Sequence, residues 1–89
     1  MGAIKTIAYS SHFERAVKKL SPELQGEVKE REAIFRRDCF DSRLKTHKLQ
    51  GTRKDHWSFS ITYKHRIVFR FLAADTVYFI DVGDHSMYG

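Results

Sequence analysis

Two histidines and an arginine mark the chemistry open to this chain: His47, Arg66 and His85. His47 stands among basic residues, Arg66 opens an alternating apolar run, and His85 follows the last apolar run in the tail Gly83-Asp84-His85-Ser86-Met87-Tyr88-Gly89. An imidazole titrates near neutral pH, so it can take a proton in one step and give one in the next. If folding gathers the three around a phosphodiester, one histidine removes the proton of a ribose 2′-OH and the arginine offsets the charge building on phosphorus. The other histidine then protonates the departing 5′-oxygen. That is RNA cleavage without a metal. The plainer alternative is that isolated loop histidines are simply exposed.

The charge pattern favours a polyanionic partner. The chain has 89 residues and a net charge of +5. Residues 39–70 hold eight basic and two acidic side chains, whereas residues 1–38 hold eight and six, and residues 71–89 none and three. A positive excess confined to the middle of the sequence is a localised anion-binding signal. Arg43, Lys45, Lys48, Arg53 and Lys54 line a segment bracketed by Leu44, Leu49 and Gly51, and Arg66 and Arg70 add a fixed rim. Lys45, Lys48, Arg53, Lys54 and Arg70 are the expected RNA contacts, because each phosphate they neutralise releases counterions. Ordinary solvated loop charges are the competing reading.

Other patterns are exclusions. There is no P-loop, GxGxxG, GxSxG, CxxC or HExxH, and the five histidines show no ligand spacing on a common helix, so neither metal nor cofactor is expected. Cys39 falls on an apolar helix stripe and reads as a buried core thiol. A lone cysteine fits a reducing compartment, and cytoplasm is the default. No apolar run is long enough to span a membrane, and Met1 to Ser10 lack the build of a signal peptide. The start Met1-Gly2-Ala3-Ile4-Lys5-Thr6 matches the loose N-myristoylation pattern, but Ile4 to Tyr9 already reads as a strand.

The elements that must position these residues follow from periodicity. One small domain fits in a chain this short. Ile4 to Ser10 alternates as a strand, and Ser11-His12-Phe13-Glu14 has the form of a capping box. Phe13, Ala16, Val17 and Leu20 then give one apolar helix face. Ser21-Pro22-Glu23 restarts a helix at once, with Leu24, Val28, Phe35 and Cys39 as its buried stripe and Gly26 as an internal weakness.

From Trp57 the period becomes two: Trp57, Phe59, Ile61 and Tyr63 alternate with Ser58, Ser60 and Thr62, and Ile67, Phe69 and Phe71 alternate with Arg66, Val68 and Arg70. An odd loop at Lys64, His65 and Arg66 keeps both apolar sets on one face. Ala73-Ala74-Asp75 turns the chain, and Thr76 to Val82 is apolar on both faces, as in a strand with neighbours on each side. The expected architecture is α+β: an N-terminal strand, a helical hairpin, then a three-stranded antiparallel meander. The sheet face away from the helices then meets solvent or a ligand.

His47-Lys48-Leu49-Gln50-Gly51, Trp57-Ser58, Ile61-Thr62, His65-Arg66-Ile67-Val68-Phe69 and Asp81-Val82-Gly83-Asp84-His85, in that order and spacing, resemble toxins of the RelE/ParE superfamily of type II toxin–antitoxin modules. The histidine-bearing, YoeB/YafQ-like branch of mRNA interferases is the nearer match, since Trp57 and Phe59 stand where other relatives carry lysines. The resemblance extends over nearly the whole chain and implies the RelE-like microbial RNase fold. It implies His47 as general base, Arg66 as the clamp on the scissile phosphate and His85 as general acid. Tyr88 would stack on or position a nucleotide, and Trp57 matches as well, with a core role the equal alternative.

The implied activity is a metal-independent, ribosome-dependent endoribonuclease acting on mRNA in the 30S A site and leaving a 2′,3′-cyclic phosphate and a 5′-OH. The implied partner is a cognate antitoxin that covers the basic groove. Two other readings stay open: a ParE-like toxin that poisons DNA gyrase by binding on the same fold, and a basic nucleic-acid-binding module that leaves translation untouched. The carboxylate of Asp84, next to His85, would favour the protonated imidazole that a general acid requires.

Overall fold

Ser10 sets the path of the chain out of its first strand. The computed structural model describes residues 2–51 and 55–84. Strand β1, Thr6–Tyr9, leads into helix α1, Ser11–Lys18. Ser10 is held extended by its amide bond to the Phe79 carbonyl (3.0 Å), and its Oγ accepts from the Phe13 amide at 2.9 Å. The N-cap is therefore Ser10, one residue before the expected capping box at Ser11, which already lies inside the helix. Ser21 caps α2, Pro22–Arg37, as expected, with proline in the first turn where its missing N–H costs nothing. Cys39 is buried but falls two residues past the end of α2, so it extends the core from the following loop and not from the helix stripe.

Four further strands complete one mixed sheet. They are β2 (His47–Lys48), β3 (Trp57–Ser60), β4 (His65–Ala73) and β5 (Thr76–Asp84), arranged β1-β5-β4-β3-β2. The β1–β5 pair is parallel and the other three pairs are antiparallel. The central place of β5 explains its apolar character on both faces. Strand β2 was not expected. Two exposed residues carry no periodic signal, and only pairing with β3 makes them a strand.

The β3–β4 connection is odd-numbered, as expected, but lies two residues earlier. The Ile61 amide donates to the His65 carbonyl (2.9 Å), leaving Thr62, Tyr63 and Lys64 as the loop. Thr62 decides this: its Oγ1 accepts from the amides of Lys64 (3.2 Å) and His65 (3.1 Å), so the side chain itself builds the turn. The register becomes Phe59 with Ile67 in place of Tyr63 with Ile67. The shift is even, so the apolar set keeps its face.

That face meets the helices. Phe35 of α2, with no exposure, stacks on Phe59 (centroids 4.6 Å apart) and meets Phe69 and Phe79 edge-on at 5.0 and 5.5 Å. Between Val68 and Phe69 the β4–β5 register slips by one, with Val68 opposite Asp81 and Phe69 opposite Phe79, so Ile80 is an extra residue. The carbonyl of Ile80 takes the Ser10 hydroxyl (2.8 Å), and His12 Nε2 lies 3.0 Å from Asp81 Oδ1. These two contacts pin the start of α1 to the bulge. Among the described residues no helix is long and apolar enough to cross a membrane.

Candidate functional site

The sheet face turned away from the helices gathers His47 and Arg66. Pairing puts His47 opposite Ser58, Ser58 opposite Val68, and Val68 opposite Asp81, a row across four strands. The next row runs Ser60, Arg66, Gly83. Because side chains at paired positions share a face, His47, Ser58, Ser60, Arg66 and Val68 stand together. One strand separates β2 from β4 and Arg66 lies one row along from His47, so two spacings of roughly 4.8 Å across and two residues of roughly 3.3 Å along set their backbones about 12 Å apart. Long side chains can close on one phosphate over that distance.

The serines correct an expectation. Read from alternation, Ser58 and Ser60 belong to a solvent-facing set; in the structure Ser58 and Val68 have essentially no exposure and Ser60 only 8%. Small residues in the middle of the sheet form a buried floor between longer charged neighbours.

His47 is held from its N-terminal side. Asp41 caps a short 3-10 turn at Ser42–Leu44 by accepting from the Arg43 amide (2.9 Å), and fully buried Leu44 anchors that turn. Lys45 follows with φ 53°, a left-handed residue that reverses the chain, and Thr46 Oγ1 donates to the Cys39 carbonyl (2.6 Å). His47 Nδ1 then lies 3.0 Å from the Lys45 carbonyl. A carbonyl only accepts, so Nδ1 carries the hydrogen in that bond and neutral His47 presents a free lone pair at Nε2. This is the tautomer a general base needs.

Arg66 is the second residue of β4, and the residue opposite it on β5 is Gly83, which brings no side chain to crowd the guanidinium. Its Nη1 is buried and has no hydrogen-bond partner among the described residues, and the same holds for Ser58 Oγ. His56 Nδ1, two residues before Ser58, is a third such atom, and a cluster of buried orphan groups, one of them cationic, is the condition in which an incoming oxyanion is worth most. Ser58 is thus a candidate site residue that sequence reasoning missed. The only available signal was the serine alternation, which reads equally well as a wet face.

The remaining expected contacts divide. Lys45, Lys48 and Arg70 are exposed, and none forms an ion pair among the described residues. Arg70 lies four residues beyond Arg66, opposite Tyr78, on the same strand. Arg43 differs: its Nε and Nη2 donate to both oxygens of Asp41 at 2.9 and 2.8 Å. That fork holds the Asp41 carboxyl well below the usual range and raises the guanidinium. Arg43 is already neutralised within the chain. Arg53, Lys54, His85 and Tyr88 lie outside the described residues; Asp84, the residue before His85, pairs with His65. Among the described residues no group of three or more His, Cys, Asp or Glu side chains could hold a metal ion.

No family model matches the chain, and no curated protein matches it in sequence. Solved structures do match in shape. YafQ from Escherichia coli strain BL21(DE3) superposes with a TM-score of 0.75 at 19% identity, over 93% of this chain and 97% of that one. The YoeB/ParE toxin from Agrobacterium tumefaciens gives 0.75 at 18%, over 91% and 99%. The toxin–antitoxin complex RelBE2 from Mycobacterium tuberculosis gives 0.78 at 18%, over 97% of each chain. An α+β sheet of this strand order with a helical hairpin on one face is the fold of these RelE-, YoeB- and YafQ-like toxins.

Proposed function

We propose that the chain is the toxin of a type II toxin–antitoxin module and acts as a metal-independent endoribonuclease on mRNA held in the ribosomal A site. The observation that carries this reading is the buried Nη1 of Arg66, without a hydrogen-bond partner among the described residues, on the face that also bears His47 with its Nε2 lone pair presented. Nε2 of His47 takes the 2′-OH proton, and the 2′-oxygen attacks phosphorus. Arg66 offsets the added charge on the phosphoryl oxygens, and the 5′-oxygen leaves with a proton from His85. The products are a 2′,3′-cyclic phosphate and a 5′-OH. Lys45, Lys48, Arg53, Lys54 and Arg70 hold flanking phosphates, and Tyr88 stacks on a nucleotide. A domain this small has little surface for reading sequence, so the ribosome orients the substrate.

The neighbours support an antitoxin partner: RelBE2 is described as a toxin–antitoxin complex, and YafQ was solved with DinJ as one. An antitoxin would cover the same basic face. The test is to induce the wild type and the His47→Ala, Arg66→Ala and His85→Ala variants in cells and map mRNA 5′ ends by primer extension. Frame-dependent cuts should appear with the wild type and fall roughly a hundredfold or more in each variant. Growth arrest with intact mRNA would sink the reading, and arrest with chromosomal breaks that survives His47→Ala would replace it with gyrase poisoning.

A further inference from the structure

His56 stands just before β3, and its carbonyl accepts from the Leu49 amide at 2.8 Å, which carries the β2–β3 pairing one residue past Lys48. Alternation places His56, Ser58 and Ser60 on one face, the face of His47 and Arg66. Extending the β3–β4 register from Trp57 opposite Phe69 sets His56 opposite Arg70. His47 lies one strand over and two residues along, so the two backbones are about 8 Å apart, at roughly 4.8 Å per strand and roughly 3.3 Å per residue.

The imidazole of His56 is half-buried. Its Nδ1 is covered and has no hydrogen-bond partner among the described residues, which leaves Nε2 as the nitrogen at the open edge. A neutral imidazole carries one hydrogen and can place it on either nitrogen. A buried N–H without an acceptor is the costlier orphan, so the hydrogen sits on Nε2 and the covered Nδ1 keeps its lone pair. His47 is held in the opposite tautomer by the Lys45 carbonyl. Two neighbouring imidazoles on one face therefore differ in what they offer: His47 an acceptor, His56 a donor.

Resting on the RNA-cleavage reading above, we propose that His56 is a further substrate-binding residue, donating from Nε2 to the phosphate on the 5′ side of the attacking ribose. Position decides which phosphate this is. Along β3 the row of His47 lies between the rows of Arg66 and His56, two residues from each. The ribose whose 2′-OH His47 deprotonates therefore lies between the groups that the other two hold. Attack is on that ribose's own 3′-phosphate, which Arg66 binds, so the phosphate that meets His56 is the 5′ one. An N–H donated to an anionic oxygen is among the stronger hydrogen bonds, and Arg70, exposed and opposite, supplies the charge that a neutral imidazole lacks. The substrate strand thus runs 5′ to 3′ from Arg70 toward Arg66 along β4.

The probe is deoxyadenylyl-adenosine, a dinucleotide that cannot be cut because its first sugar lacks the attacking hydroxyl. It is titrated by calorimetry with a 5′-terminal phosphate, a 3′-terminal phosphate or neither. In the wild type the 5′-phosphate should raise affinity about tenfold, and in His56→Ala only about twofold, with Arg70 still in place. The tenfold gain should survive in His47→Ala and in His56→Gln, whose Nε2 amide donates from a similar place. The gain from a 3′-phosphate should be the same in the wild type and in His56→Ala. Imidazole nitrogen NMR shifts should show Nε2–H in His56 and Nδ1–H in His47. A 5′-phosphate gain that His56→Ala leaves intact, a gain lost as fully in His56→Gln, dependence on His56 for the 3′-phosphate in its place, or hydrogen on Nδ1 of His56 would overturn the proposal. Binding of the probe needs no catalysis, so a His56-dependent gain beside intact cellular mRNA would count against the nuclease and not against the subsite, and cut mRNA without the gain the reverse.

Discussion

Arg66 and Cys39 are both buried polarisable groups, yet they have opposite consequences. The guanidinium cannot shed its charge, so burying Nη1 without a partner among the described residues favours an incoming anion. The thiol of Cys39 avoids any such demand by staying neutral: burial, reinforced by the nearby Asp38 carboxylate, pushes its pKa above the ordinary thiol value. A pKa raised by folding leaves stability independent of pH until the unfolded chain begins to lose its proton. From about pH 9 upward the unfolded state ionises while the folded state does not, and stability falls. Urea denaturation across pH 7 to 10 should therefore show an alkaline decline that is shallower in Cys39→Ala. The thiol's burial was legible from its neighbours in sequence. The tautomer of His47 was not, since it depends on a carbonyl two residues away that faces Nδ1 only because Lys45 adopts a left-handed turn.

Elements were legible in proportion to their length. Helix α2 shows its apolar stripe, its serine cap and its proline over sixteen residues, and its charges pair along its own surface, Glu27 with Arg31 and Glu32 with Arg36. Gly26, its one internal weakness, is exposed, and nothing lies within 4 Å of where its Cβ would be. Gly26→Ala should raise stability by about 0.5–1 kcal/mol, read as a higher urea midpoint with unchanged slope. At the other extreme, the two residues of β2 leave no periodic trace, and the β3–β4 loop was misplaced by two residues because hydroxyl-built turns compete with strand alternation.

For the whole molecule, the +6 carried by residues 39–70 is smaller in effect than its count. Asp41 takes up Arg43, leaving Lys45, Lys48, Lys64, Arg66 and Arg70 as the described cations of that segment open to phosphate. Binding of single-stranded RNA should weaken steeply with salt. Lys45→Gln should reduce the slope of log affinity against log salt by ~0.7, the loss of one phosphate contact, and Arg43→Gln should change it little. Fluorescence-anisotropy titrations at several salt concentrations would separate the two, and equal slope changes would show that the Asp41 fork opens on binding.

By itself the sequence determined the order of helices and strands, the partition of apolar side chains onto one sheet face, and the concentration of positive charge with a histidine and an arginine inside it. Those properties are local or additive, set by periods of two and 3.6 residues and by counting. Only the tertiary structure decided that His47 shares a face with Arg66, that Gly83 lies opposite that arginine, and that Ser58 is a buried floor. Each depends on register between strands distant in sequence. Register is selected by the packing of Phe35 against Phe59, Phe69 and Phe79 and by the Thr62 turn, which no single stretch of the chain encodes.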